Sequence, residues 1–147
     1  MIIKEVKKED SEDIFNWRNN KITIFFSRKK KRIKLSNHKI WFSKNILSPS
    51  VKFYMGFLKK KKVGVVRFNI KKKNKYAIVS INLNPKMRNK SLSKTLLRMA
   101  IKKFLKLKKI KLFAEIQRNN YRSINCFVKN NFFYIKTKSN FNFYKRN

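Results

Sequence analysis

Glycine, proline, cysteine and acidic residues are all scarce in this chain, and the shortages exclude a good deal. A single cysteine, Cys126, rules out an intramolecular disulfide and fits a reducing compartment. No histidine or second cysteine lies near it, so it points to neither a metal site nor a thiol nucleophile. The plainer reading is a small buried hydrophobe. No apolar run approaches the ~20 residues that a membrane-spanning helix needs. The opening Met1-Ile2-Ile3-Lys4-Glu5-Val6 turns charged at once and lacks the apolar core of a secretory signal, so the expected location is the cytoplasm. No linker, internal repeat or tandem unit is visible, and one domain over residues 1–147 is expected.

The shortage of acids has the widest consequences. Against 41 Lys and Arg stand 6 Asp and Glu, a net charge of +35. Such a balance suggests nucleic acid or an anionic membrane surface as a partner. An AT-biased genome is a competing origin, because Lys, Asn, Ile and Phe crowd the chain while Gly, Pro and Ala number only two, two and three. That bias does not account for the missing acids, whose codons are not GC-rich, and both readings stay open. The basic runs fall in turns between elements rather than along one helix, which suits solubility better than a nucleic-acid groove. Five acids, Glu5, Glu9, Asp10, Glu12 and Asp13, sit in the first thirteen residues, and the sixth, Glu115, stands alone.

What is abundant is apolar: 42% hydrophobic residues and 14 Phe, ample for a core. Ile2 to Val6 reads as a strand. Asp10 is placed to cap a helix running to Trp17, Ile22 to Phe26 adds a short one, and Ser27 to Lys34 is a basic loop. Ser36 is placed to cap a helix through His38, Trp41 and Phe42, ended by Ser48-Pro49-Ser50. Val51 to Leu58 and Val63 to Ile70 are strands joined by a turn at Lys59 to Lys62, and a second basic turn spans Lys71 to Lys75. Tyr76 to Leu83 is an apolar strand stopped by Asn84-Pro85. Arg88-Asn89-Lys90-Ser91-Leu92-Ser93 leads into a helix to Leu107 with Leu92, Leu96, Ala100 and Phe104 on its apolar face. Ile110 to Gln117 is a strand with Leu112, Ala114 and Ile116 on one side. A short helix follows Asn119-Asn120, and Phe132 to Ile135 and Phe141 to Tyr144 close the chain. The order predicts an α/β (α+β) domain: a central mixed, mostly antiparallel sheet with helices on both faces. The strand, polar loop and helix start around Arg88 make an anion site, since the first N–H groups of a helix lack internal partners.

The order and motifs resemble the GNAT family of acetyl-CoA-dependent N-acetyltransferases. Arg88-Asn89-Lys90-Ser91-Leu92-Ser93 is similar to the family's Arg/Gln-x-x-Gly-x-Gly/Ala, with Ser91 and Ser93 where Gly is usual. Asn120-Tyr121-Arg122-Ser123, then Phe127, then Asn131-Phe132 is similar to the family's second motif. Phe127 stands where many members carry a thiolate-protonating tyrosine, and Asn131 stands for glycine. Trp17-Arg18-Asn19 and His38-Lys39-Ile40-Trp41-Phe42 resemble a narrower group that acetylates nucleotide-linked amino sugars in surface-polysaccharide biosynthesis. Members acting on protein N-termini share parts of this front half.

The resemblance implies acetyl-CoA as co-substrate and a small-molecule amine, a sugar nucleotide, as acceptor, in a monomer or homodimer. It implies a cofactor site at Ile81, Asn82, Leu83, Arg88, Asn89, Lys90, Ser91, Leu92, Ser93, Asn120, Ser123 and Phe127, in which backbone N–H groups of an irregular strand around Ile81 to Leu83 hold the acyl group. Trp17, Arg18, Asn19, His38, Arg67 and Ser80 are the acceptor-side candidates. Arg18 and Arg67 suit a diphosphate, or else pair with acids. Trp17 and Trp41 are core or pocket wall. Glu115 is a general-base candidate whose alternative is solvent exposure or a structural Lys partner. His38 is a second, with packing beside Trp41 as its alternative. No metal site is expected. Two other readings compete: a protein N-terminal or lysine acetyltransferase, and a non-catalytic basic module of this fold that binds CoA or nucleic acid.

Overall fold

The computed structural model describes residues 1–71, 73 and 75–147. Strands β1 (Ile2–Glu5), β2 (Val51–Leu58), β3 (Lys61–Lys71), β4 (Tyr76–Leu83), β5 (Lys111–Gln117), β6 (Phe132–Lys138) and β7 (Phe141–Arg146) form one sheet in the order β1-β2-β3-β4-β5-β7-β6. Only β4 and β5 run parallel; the other neighbours are antiparallel. Helices α1 (Ser11–Arg18), α2 (Lys21–Phe25) and α3 (Leu35–Ile46) lie on one side, α4 (Leu92–Leu107) and α5 (Tyr121–Val128) on the other. This is the mixed, mostly antiparallel sheet with helices on both faces that the order of elements predicts.

Strand alternation divides the core in two. Tyr54, Val66, Phe68 and Val79 point to α4, whose Leu96, Leu97, Ala100 and Phe104 recur at helical spacing and are buried. Phe68 and Phe104 stack with centroids 4.1 Å apart. On the opposite face Phe53, Met55 and Val65 meet Ile14, Trp17 and Phe42. Trp17 is therefore core, while Trp41 packs edge-on against Phe53.

The chain's two glycines face each other across β2 and β3, as Gly56 and Gly64, beside a bulge at Val63. A Cβ on Gly56 would collide with Leu96 of α4; one on Gly64 would stand 2.7 Å from the Asn82 carbonyl oxygen and 3.0 Å from Leu83 Cα. The sheet keeps glycine where a side chain of α4 and the backbone of β4 leave no room for a Cβ. Elsewhere other residues take left-handed turns. The β2–β3 loop is only Lys59 and Lys60, with φ of 46° and 66°, a narrower turn than Lys59 to Lys62. Of the basic turn at Lys71 to Lys75, Lys72 and Asn74 lie outside the described residues.

Two expected caps are corrected. Asp10 makes no side-chain bond to the α1 N-terminus; its carboxylate accepts from Lys7 N–H at 2.8 Å and pairs with Lys62 at 2.6 Å. Helix α3 starts two residues earlier than a Ser36 cap would place it, with Lys34 at the N-cap. Among the described residues no helix is long and apolar enough to cross a membrane.

Gly64→Ala forces backbone apart in the sheet centre, and the expected cost is about 1–3 kcal/mol. Thermal melting checks it: an unchanged Tm would show that β4 can yield.

Candidate active site

β4 and β5 pair only at Tyr76–Lys111, Ala77–Leu112 and Ile78–Phe113. Beyond that the ladder stops, and a cleft of about 130 Å³ lies between the strands, lined by Val79, Ser80 and Ile81 on one wall and Glu115, Ile116 and Gln117 on the other. Hydrogen bonding on the far sides shows which groups face it. Ile70 N–H donates to Ser50 O on the β2 side, so the odd-numbered residues of β3 turn their backbone groups to β4. The register pairing Arg67 with Ser80 commits Ser80 and Asn82 to β3 and aims the N–H and C=O of Val79, Ile81 and Leu83 toward β5. On β5, Arg118 N–H donates to Asn140 O in the turn before β7, which leaves the backbone of Glu115 and the Gln117 N–H aimed at β4; the Gln117 carbonyl accepts from Asn120 N–H at 2.8 Å.

The expected irregularity around Ile81 to Leu83 is absent, since β4 holds one register with β3 throughout. The free backbone groups come from the loss of β5. Only Ile81 and Leu83 of that trio offer them; Asn82 is bonded to β3, and its side chain accepts from Thr23 at 3.3 Å.

Side chains sort the cleft into two mouths. Val79, Ile116, Ser123 and Phe127 belong to the α4–α5 face, whereas Ser80, Glu115, Phe26 and Phe141 belong to the α2 face. At the first mouth, Asn89 and Ser91 are both left-handed, with φ of 60° and 54°. Ser91 is the N-cap of α4 and makes no side-chain cap bond, so its hydroxyl leaves the first-turn N–H groups to other acceptors. Ser91 thus adopts the conformation for which glycine is the unstrained residue. Lys90 is exposed, and Leu92 and Ser93 open the helix. The Arg88 guanidinium turns away, donating to Asn20 Oδ1 at 2.6 Å and Thr23 Oγ1 at 2.8 Å; it ties this loop to α2. Burial, then the charge of Arg122, pulls Arg88 below the usual arginine range. Asn120 caps α5 through Ser123 N–H at 3.2 Å, and Asn131 takes the left-handed turn after it, φ 65°. Phe127 is buried, packed edge-on against Phe132, with no hydroxyl to offer. The Cys126 thiol is pushed up by burial, an effect that Ser93 partly offsets.

On the other face stand Arg67, cross-strand from Ser80, and Arg18 at the end of α1. Burial lowers both, and Arg67 is lowered further by the charge of Arg18. Arg67 sits 5.6 Å over the Trp41 ring, and Arg18 Nη1 is buried without a hydrogen-bond partner. Among the described residues neither pairs with an acid. Glu115 is held by Arg28, Nη2 to Oε2 2.6 Å, rather than by solvent or a lysine.

Three acceptor-side candidates are placed elsewhere. Trp17 is core. Asn19 spends its amide on Ile33, donating at 2.9 Å and accepting at 2.8 Å, which anchors the basic loop. His38 is 2% exposed between α1 and α3, with Nε2 beside Ser11 O at 2.9 Å and Ser11 Oγ at 3.1 Å, and it does not line the cleft. Its alternative as a packed helix-face histidine is what the geometry supports. Phe26, Arg28, Gln117 and Phe141 border the cleft without a motif to announce them; the isolation of Glu115 as the lone downstream acid was the usable hint, and it named no partner. Among the described residues no three metal-ligating side chains gather.

The sequence matches the family model described as Acetyltransferase (GNAT) family over residues 11–132. No curated protein sequence matches it. Among solved structures, spermidine N-acetyltransferase from Vibrio cholerae, in complex with CoA and spermine, is similar with a TM-score of 0.83 at 13% identity, over 98% of this chain and 92% of that one. A domain from Methanocaldococcus jannaschii gives 0.83 at 21% identity, over 98% and 96%. The N-acetyltransferase PseH of Campylobacter jejuni, in complex with acetyl coenzyme A, gives 0.73 at 20% identity, over 98% and 97%. At these identities the likeness is one of fold.

His38 carries a pH prediction. Burial lowers it below its ordinary 6.5, against a smaller upward pull from the Ser11 bond. The unfolded chain therefore binds this proton at a higher pH than the folded one does. The contribution is whole above about pH 6.5 and is lost as pH falls toward the lowered folded value. Tm measured from pH 7.5 down to 5 should fall more steeply for the wild type than for His38→Gln; parallel curves would contradict it.

Proposed function

Since the chain belongs to the GNAT acetyltransferase family, we propose that it moves an acetyl group from acetyl-CoA to the primary amine of a nucleotide-linked amino sugar. In this reading the N–H groups from Asn89 to Ser93 receive the CoA pyrophosphate at the α4 N-terminus. The pantetheine arm enters the cleft from the α4–α5 side, past Asn120 and Ser123. Its amides add to the unpaired β4 edge at the Val79 carbonyl, Ile81 and Leu83, as a strand would. The same edge holds the thioester carbonyl and the oxyanion that forms on it. The amine attacks that carbon, the C–N bond forms, and the C–S bond breaks. Glu115 takes the amine proton directly or through a water. Phe127 offers the departing thiolate no proton, so it leaves unassisted or is protonated by water, which a good leaving group tolerates. The chain acts as one cytoplasmic domain.

One observation carries the acceptor class: Arg67, cross-strand from Ser80, and Arg18, whose charge it feels, are both partly buried and neither is paired with an acid among the described residues. Two partly buried cations within reach of each other's field cost folding free energy unless an anion joins them, and two guanidiniums suit the two phosphates of a nucleotide diphosphate. A polyamine, the ligand in the Vibrio cholerae protein, would need acids there; the one acid lining the cleft is already paired to Arg28.

Two measurements test this. Calorimetry should detect acetyl-CoA binding at low salt, tightened several-fold in Ser91→Gly, where the backbone relaxes and can approach the phosphates; no binding by either form would overturn the reading. In a product assay with an amino-sugar nucleotide, spermidine and a peptide, the nucleotide should be the best acceptor. Arg67→Gln should raise its KM about 10–100-fold with acetyl-CoA affinity unchanged. Preference for spermidine or the peptide would replace the acceptor class and leave the transferase reading standing.

A further inference from the structure

Glu115 is not free in this cleft. Arg28, the second residue of the basic loop, reaches across 87 positions of sequence to bring Nη2 within 2.6 Å of Glu115 Oε2. Its guanidinium also lies 4.1 Å from the centre of the Phe141 ring. Phe26, Glu115 and Phe141 all line the cleft, so Arg28 bridges the opening on the α2 face. The arrangement is easy to undo. The two side chains are 59% and 31% exposed, a range in which water screens an ion pair and little stability depends on it. The stem of Arg28 belongs to a loop of bends, outside helix and strand. The other charge placed near Glu115 is Lys136, 6.0 Å over the ring of Phe143, which is Glu115's cross-strand neighbour on β7. Ser80, Gln117, Phe26 and Phe141, which share the cleft with it, carry no charge.

We propose that Arg28 is a latch that reads the charge of the acceptor: it closes the entrance by holding Glu115, and a phosphate on the acceptor draws the guanidinium off the carboxylate. The inference rests on the anionic acceptor argued above. Each phosphate of the diphosphate matches the arginine fork with two oxygens, and the group as a whole carries two negative charges against the carboxylate's one, so the exchange is favourable once the acceptor's diphosphate has docked at Arg18 and Arg67. The exchange opens the cleft and leaves Glu115 free to take the amine proton. An amino sugar without phosphate offers Arg28 no anion and meets a closed entrance. Arg28 is thus a specificity-determining positioning residue, acting through Glu115 rather than on the reacting atoms.

The test compares an amino-sugar nucleotide with the same amino sugar lacking its nucleotide, using wild type, Arg28→Gln and Arg28→Lys. Arg28→Gln should raise KM for the nucleotide-linked acceptor at least tenfold and raise kcat/KM for the free sugar several-fold. Arg28→Lys should recover part of the discrimination, and the acetyl-CoA Kd from calorimetry should stay at the wild-type value. If Arg28→Gln lowers both activities equally, or leaves both at wild-type values, the latch is wrong while the transferase reading stands. If wild type acetylates neither compound, the acceptor reading fails and the latch falls with it.

Discussion

Two parallel strands that pair at three positions and then part are the constraint on which the rest of this molecule depends. A sheet that stayed paired there would bury its backbone groups in its own ladder and leave nothing to receive a ligand. The parting turns the Val79 carbonyl and both backbone groups of Ile81 and Leu83 toward the Glu115 and Gln117 N–H groups across an opening, so that main-chain donors and acceptors in the middle of a domain remain unspent. It is held open from outside. β4 keeps an unbroken register with β3, β5 keeps one with β7, and α4 packs over the paired ends through its buried apolar face.

Because the opening passes through the sheet, each face presents different groups to it. The α4–α5 face brings a helix N-terminus and the left-handed Asn89 and Ser91 to one mouth. The α1–α3 face brings Arg18, Arg67, Ser80 and Arg28 to the other. Arg88 links the two: its backbone belongs to the first mouth and its guanidinium grips Asn20 and Thr23 on the second.

The shortage of acids is also a structural device. With 41 cations and 6 acids, a carboxylate is a rare joint. Asp10 and Asp13 both go to Lys62, tying the β2–β3 hairpin to the start of α1. Glu115 goes to Arg28, tying the basic loop to β5. Glu5 and Glu9 pair at the surface with Lys52 and Lys7. Little is left for Arg18 and Arg67, and these are the cations that burial leaves most in need of an anion.

Local pattern was enough to read the strands from Val51 to Leu83, the α4 stripe and the caps at Asn120 and Asn131, because each depends on neighbours within a few residues. The same holds for the loop at Arg88 to Ser93, whose motif is contiguous. What could not be read locally was which groups remain unspent. Asn19, His38 and Trp17 carry the right chemistry but are used up by Ile33, Ser11 and the second core, partners 14, 27 and more residues away. Arg28 carries no motif at all and gains its place from a residue 87 positions later. The amino-acid order by itself determined the elements, the family resemblance and the charge. The tertiary structure alone decided where the backbone stays unpaired and which side chains stay free, since hydrogen-bond satisfaction is settled by contacts that form only when distant segments meet.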